Sequence, residues 1–294
     1  MNALPPYAKG FAITLAGVFV LCPDALLIRL TQADGWTVVF FRGVLTALAL
    51  SAFLAARYRR GLPELLRKVD GPAVLAGLLY GAGNLCFVLS INRTLAANTL
   101  IILAATPLVT ALFSRLFLGE RQSRTTWGAV LAVLAGVGAI FAGDVGGGHF
   151  TGNLLAVVSA TVMAGNLTAL RRSRVGTPVP SVAIGALSAA AAALPFAAPT
   201  ALDGPDLFLL LAQGMVILPV SFALIFAGPR YLPAPEVALI LLTQTLLGPF
   251  FVWLALGEIP GPRILLAGGF IVCTVALHAV GSATASRRKS TPPG

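Results

Sequence analysis

Thr99-Leu-Ile-Ile-Leu-Ala-Ala-Thr-Pro-Leu-Val-Thr-Ala-Leu-Phe-Ser-Arg-Leu-Phe-Leu-Gly-Glu120 and Val237-Ala-Leu-Ile-Leu-Leu-Thr-Gln-Thr-Leu-Leu-Gly-Pro-Phe-Phe-Val-Trp-Leu-Ala-Leu-Gly-Glu258 are apolar stretches of equal length with one ending. Aligned without a gap, Ile102, Leu103, Leu108, Phe113, Leu116, Leu118, Gly119 and Glu120 meet identical residues. The leucine matches carry little weight, because apolar helices resemble one another by composition. The shared Leu-Gly-Glu terminus carries more, because it recurs at the same place in the order of segments.

A helix crosses the hydrocarbon core of a bilayer in about 20 residues. Ten runs are apolar and long enough: 10–30, 35–56, 71–91, 96–118, 127–143, 152–170, 180–199, 206–228, 234–256 and 263–283. The two quoted stretches are the fourth and the ninth. Five is an odd number, so a duplicated five-span unit enters the membrane in the opposite sense the second time. The expected fold is an all-α polytopic membrane protein of ten transmembrane helices, built as two inverted five-helix repeats, 1–146 and 147–294. Inverted repeats of this kind recur in secondary transporters. The connections are short, the longest being 57–70, and a glycine-rich turn at 143–149 divides the halves. No soluble domain and no cleavable signal peptide are expected.

Composition excludes a soluble globule. Hydrophobic residues make up 57% of the chain, charged residues only 10%, and the mean hydropathy is +0.92, whereas soluble domains carry roughly 25% charged residues. The net charge of +10 does not mark a nucleic-acid partner, because it is spread over separate short segments. With the N-terminus inside, sixteen Arg and Lys fall on the inner side, among them Arg57, Arg59, Arg60, Arg67, Arg115, Arg121, Arg124, Arg171, Arg172, Arg174 and Arg230. Arg29, Arg42, Arg93 and Arg263 are the four that remain in the outer half. This bias places both termini in the cytoplasm. Arg far outnumbers Lys, and Ala and Gly are plentiful, which fits a GC-rich bacterial genome; a multi-span apolar chain is then expected in the bacterial inner membrane. Cys22, Cys86 and Cys273 all lie in apolar runs and read as small buried residues rather than a disulfide or metal set.

In these features the chain resembles the drug/metabolite transporter superfamily, in its ten-span EamA-type branch. The carriers are Leu118-Gly119-Glu120 and Leu256-Gly257-Glu258, with Pro107 and Pro249 before them. Small-residue approaches lead into each: Leu95-Ala96-Ala97-Asn98-Thr99 and Leu232-Pro233-Ala234-Pro235-Glu236. Aligning Gly10 with Gly152 sets Arg29 on Arg171 and Asp24 on Asn166. One departure is local: Ile259-Pro260 stands where polar residues follow Glu120. The resemblance implies export of small organic solutes by alternating access, with no cofactor. Its nearest likeness is to the YddG-type exporters of aromatic and large hydrophobic amino acids. Other amino acids or drugs are the alternative substrates, and a monomer is favoured over a homodimer.

Ionisable groups deep in a span are costly and are therefore candidate sites. Asp24 is the only acid well inside a run, and it follows Pro23, which frees a backbone carbonyl one turn earlier. Arg42 lies at a matching distance beyond the hairpin apex near Ala33, so an ion pair fixing the packing competes with a substrate or proton-coupling role for Asp24 and with simple access to the outer water. Arg42 is equally suited to attract a substrate carboxylate. Tyr80 and Asn84 lie one turn apart on the third run, and Ser159, Met163 and Asn166 share a face of the sixth. Asn98, Thr106, Gln213, Thr243 and Gln244 add uncharged polar groups. Each competes with a bland reading as interhelical glue, worth about 0.6 kcal/mol per bond. Mixed apolar walls with a few amides suit an amphipathic zwitterion. Gly128, Ala132 and Gly136 form a small-residue stripe, read as internal packing in preference to a dimer contact.

Other signals are declined. Gly136-Val-Gly138 is no dinucleotide fingerprint, having no strand before it. His149 and His278 lack metal-ligand spacing. A polytopic membrane enzyme of lipid metabolism would need His, Asp or Cys groups converging near one interface, and none is arranged so; no catalytic residue is assigned.

Overall fold

A computed structural model describes residues 6–120, 123–143, 148–198, 202–227, 231–232 and 234–290. Every regular element among them is helical. In chain order they are α1 (Pro6–Leu21), α2 (Asp24–Leu30), α3 (Gly35–Tyr58), α4 (Leu62–Arg67), α5 (Gly71–Ile91), α6 (Ala96–Leu103), α7 (Thr106–Leu118), α8 (Arg124–Gly143), α9 (Phe150–Arg172), α10 (Val179–Ala193), α11 (Gly204–Leu211), α12 (Leu218–Ala227), α13 (Ala234–Leu256) and α14 (Pro262–Ser290). Eight helical stretches among the described residues are long and apolar enough to cross a membrane, and Val179–Ala193 and Ile240–Leu256 are shorter apolar helices.

Three of the expected spans are not continuous. The first divides into α1 and α2 because Pro23 has no N–H to continue the ladder; Leu27 N–H then bonds the Pro23 carbonyl at 2.9 Å and starts α2. The fourth divides into α6 and α7 at Ala104–Ala105. Pro107 cannot bond the Leu103 carbonyl, and the Thr106 hydroxyl donates to that carbonyl instead, at 2.6 Å. The eighth consists of α11, a π turn at Ala212–Ile217, and α12. By contrast α13 runs through Pro249 unbroken. The seventh is shorter than expected, because Pro195 lacks the N–H that would bond the Ala191 carbonyl, and α10 ends at Ala193. The loop 57–70 also contains α4.

Both Leu-Gly-Glu motifs end a helix in the same way. Gly119 has φ 70° and Gly257 has φ 68°, the left-handed cap that lacks a steric penalty only for glycine. The first expected span packs against the eighth and ninth, and the sixth against the third and fourth. α10 lies between α3 and α5, where a Cβ at Gly185 would collide with the Gly77 carbonyl and the Tyr80 ring. α8 and α14 pack on each other. There Gly136 abuts Ile271, whereas Gly128 has open space around it, so only part of the small-residue stripe is a close contact. Their outer faces expose Leu131, Leu134, Leu266 and Leu277, as a lipid-facing surface would. All three cysteines are free thiols, but only Cys22 is buried. Cys86 is half-buried and Cys273 exposed, because an apolar residue facing lipid has no need of protein cover. The boundary between 146 and 147, most of the 143–149 turn, Arg121, Arg230 and the expected span ends at 199 and 228 lie outside the described residues.

Candidate functional site

The helix break at Pro23 leaves Asp24 as the first residue of α2, in the interior of the bundle. Arg42 approaches from α3 and binds it through both terminal nitrogens: Nη1 to Oδ1 at 2.6 Å and Nη2 to Oδ2 at 2.9 Å. Arg42 and Asp24 are each 2% exposed. Such bidentate pairs are strong hydrogen-bonding units, and removing one member strands the other charge. Arg42 Nη1 also donates to Gln213 Oε1 at 3.0 Å. Gln213 is fully buried and sits in the π turn of the eighth span. Because a guanidinium only donates, Gln213 must present its oxygen to Arg42, and its Nε2 faces away.

Tyr80 on α5 belongs to the same region. It lies within electrostatic range of Arg42 and Asp24. Its ring meets Phe222 of α12 edge-on at 5.7 Å. The Tyr80 hydroxyl is near the half-buried Asn84 side chain but makes no hydrogen bond of sound geometry. Thr46, one turn beyond Arg42 on α3, is also buried. On the far side of Phe222 from Tyr80, a cavity of about 240 Å³ opens between α3, α10 and α12, with Leu50, Val182, Phe222 and the exposed Phe53 and Val220 in its wall; none of the polar side chains lines it.

The other residues picked from the sequence sit elsewhere. Asn166 donates to the Ala76 carbonyl at 2.6 Å and ties α9 to α5. Ser159 makes a parallel tie to the Gly83 carbonyl at 2.8 Å. Asn98 donates to Thr94 Oγ1 and to Asn153 Oδ1, each at 3.1 Å. Thr106 serves the helix break described above. Met163 is half-buried and packs over Gly83, and Gln244 is half-buried on α13. The structure therefore brings together Asp24, Arg42, Gln213 and Tyr80, while Asn98, Asn166 and Thr106 hold backbone and neighbouring helices. Among the described residues no three His, Cys, Asp or Glu side chains converge as a metal site requires.

Two sets of contacts join the ends of the spans. Arg29, in the last turn of α2, meets Glu258 at 3.0 Å. Arg29 also donates to the Thr94 carbonyl at 2.9 Å, and Glu258 accepts the Ala96 N–H at 2.8 Å. Arg171, in the last turn of α9, meets Glu120 at 3.3 Å and donates to Ser114 at 3.1 Å. Glu258 thus sits at the start of α6 and Glu120 beyond the end of α7, at opposite ends of one span. Neither set is legible in the sequence, and the second is made by aspartates. Asp206 accepts the N–H groups of Gln32 and Ala33 at 3.1 and 2.8 Å. Asp70 accepts the Arg174 N–H at 2.8 Å, and the Ala73 N–H and Ser173 hydroxyl at 2.9 Å each. The alignment that sets Arg29 on Arg171 also sets Gln32 on Arg174. The Arg174 N–H holds the Asp70 carboxyl below its ordinary value, with Ala73 and Ser173 adding to this and partial burial opposing it.

The EamA-like transporter family matches residues 7–142. No curated protein matches the chain. A solved structure described as "Crystal structure of protein" is similar over 93% of this chain and 98% of that one, with a TM-score of 0.65 and 21% sequence identity. At that identity the likeness is one of fold. The apolar helices and the family match make this a multi-pass membrane protein.

Proposed function

We propose that the chain is a ten-span secondary transporter of the drug/metabolite transporter superfamily. Its two inverted five-helix halves export small amphipathic metabolites, foremost aromatic and large hydrophobic amino acids, across the bacterial inner membrane by alternating access. The observation that carries this reading is the exchange of partners between the halves. Arg29 of the first half meets Glu258 of the second, and Arg171 of the second meets Glu120 of the first. Asp206 and Asp70 repeat the exchange with the loops after the first and sixth spans. A two-fold axis in the membrane plane that swaps the halves carries each contact onto its counterpart at the opposite face. Two equivalent closures, one at each face, are what alternating access requires.

The family match over the first half supports transport of a small molecule. The interior supports an amphipathic one: a buried charged pair with an amide and a phenol, next to an apolar cavity. The closures also differ. Arg29 and Glu258 side chains are 24% and 16% exposed, Arg171 and Glu120 50% and 48%. By the charge bias the tighter closure faces outward. Efflux of labelled L-phenylalanine, L-tryptophan and L-leucine from liposomes holding the purified protein tests the reading. Transport of at least one above protein-free liposomes is expected; none of these, with none of other amino acids or amphipathic drugs, overturns it.

A further inference from the structure

Arg42 Nε, Gln213 Nε2, Tyr80 Oη and Thr46 Oγ1 are buried, and none has a hydrogen-bond partner among the described residues. They lie together. Thr46 follows Arg42 by one turn on α3, and Gly214, beside Gln213, packs against the Arg42–Thr46 backbone. Tyr80, on α5, lies within electrostatic range of Arg42 and Asp24, and its ring meets Phe222 of α12. Buried polar groups without partners are rare in proteins, so four of them in one place are equipped to hold a bound group. Its chemistry follows from the inventory. Arg42 Nε and Gln213 Nε2 only donate, and both hydroxyls are able to donate. Of the acceptors nearby, the Asp24 carboxylate and Gln213 Oε1 are already engaged by Arg42, which leaves the Asn84 amide oxygen beside Tyr80. A group rich in acceptors would match these donors.

The neighbouring cavity describes the rest of the occupant. Leu50 follows Thr46 by one further turn, roughly 5.4 Å along the helix, and lines the cavity. Phe222 belongs to both places, meeting Tyr80 with its edge and forming cavity wall. A molecule with a carboxylate among the donors would extend its apolar part past Phe222 into the cavity.

We propose that Arg42, Gln213, Tyr80 and Thr46 form the carboxylate-binding end of the substrate site, with the cavity wall at Leu50 and Phe222 receiving the substrate's apolar side chain. The inference rests on the transport reading and narrows it to large apolar α-amino acids. Asp24 grips the Nη edge of Arg42 and leaves the Nε edge for the ligand. Because Asp24 and Arg42 cancel in charge, a zwitterion enters without adding net charge to the interior.

The test compares L-phenylalanine, L-leucine and L-methionine with their amino alcohols, which keep the amine and side chain and lose the carboxylate. Thermal stabilisation of the purified full-length protein is read for the wild type and for Thr46→Val, Tyr80→Phe and Gln213→Leu. At least one amino acid should stabilise the wild type, its alcohol should require at least about tenfold higher concentration, and each substitution should weaken the amino acid several-fold. Alcohols as effective as the acids, folded variants that bind as the wild type does, or no stabilisation by any of the three acids would each overturn the pocket. Efflux of the same amino acids separates the two readings. Flux untouched by all three substitutions would sink the pocket and leave transport standing, whereas no flux of any solute would sink both.

Discussion

Glu258 lies 3.0 Å from Arg29 and also accepts the Ala96 N–H at 2.8 Å, so one carboxylate joins three segments at one end of the bundle. Its counterpart at the other end, Glu120 with Arg171, is half exposed. Exposed ion pairs contribute about 0–1 kcal/mol, whereas hydrogen bonds to charged groups under partial cover contribute about 1.5–3 kcal/mol. Glu258→Gln should therefore lower the melting temperature clearly, and Glu120→Gln should hardly move it. Equal shifts in thermal unfolding would contradict this ranking.

The interior pair gives a larger effect. Asp24→Asn leaves the Arg42 charge buried without its partner, a cost of about 3–5 kcal/mol. The double change Asp24→Leu with Arg42→Met removes both charges and should recover most of that loss. A single variant as stable as the wild type would show that Arg42 reaches water or another acceptor.

Asp70 sets an acid limit. Its folded carboxyl is held below the ordinary value of 3.8, chiefly by the Arg174 N–H. Above that value the carboxyl is charged in both folded and unfolded chains and its stabilisation is complete. As the pH falls below 3.8 the unfolded chain takes up the proton first, and the contribution is lost as the pH passes through the lower folded value. Melting measured from neutral pH down through this window should show a shallower acid decline in Asp70→Asn; an unchanged decline would remove Asp70 from the account.

Close helix contact predicts a contrast between glycines. A Cβ at Gly185 would meet the Gly77 carbonyl and the Tyr80 ring, while one at Gly128 would meet nothing within 4 Å. Gly185→Ala should cost about 1–3 kcal/mol through overpacking, and Gly128→Ala should be neutral. A neutral Gly185→Ala would mean that α5 and α10 separate freely.

Much of this organisation is readable from the residues, and the failures have physical causes. Apolar runs mark helices because a bilayer leaves backbone groups no other partner. Equal distance from a hairpin apex suffices to pair Asp24 with Arg42. The π turn that delivers Gln213 has no local sequence code, so its position in the cluster was invisible. Asp70 and Asp206 looked like ordinary span starts because their partners are mostly backbone N–H groups, which every residue except proline carries. Asn98, Asn166 and Thr106 looked like lining residues because a polar side chain in an apolar run reads the same whether it faces a cavity or a carbonyl. Only the folded chain reveals that Thr106 repairs the ladder broken by Pro107.

The central claim is that the two ends open in turn, and cross-linking tests it most directly. In a background with Cys22, Cys86 and Cys273 replaced by serine, one protein carries Arg29→Cys with Glu258→Cys and another carries Arg171→Cys with Glu120→Cys. Amino-acid efflux from liposomes is measured before and after disulfide formation, and again after reduction. The account predicts that either cross-link alone stops flux and that reduction restores it. Undiminished flux with the disulfide complete at either end would contradict it.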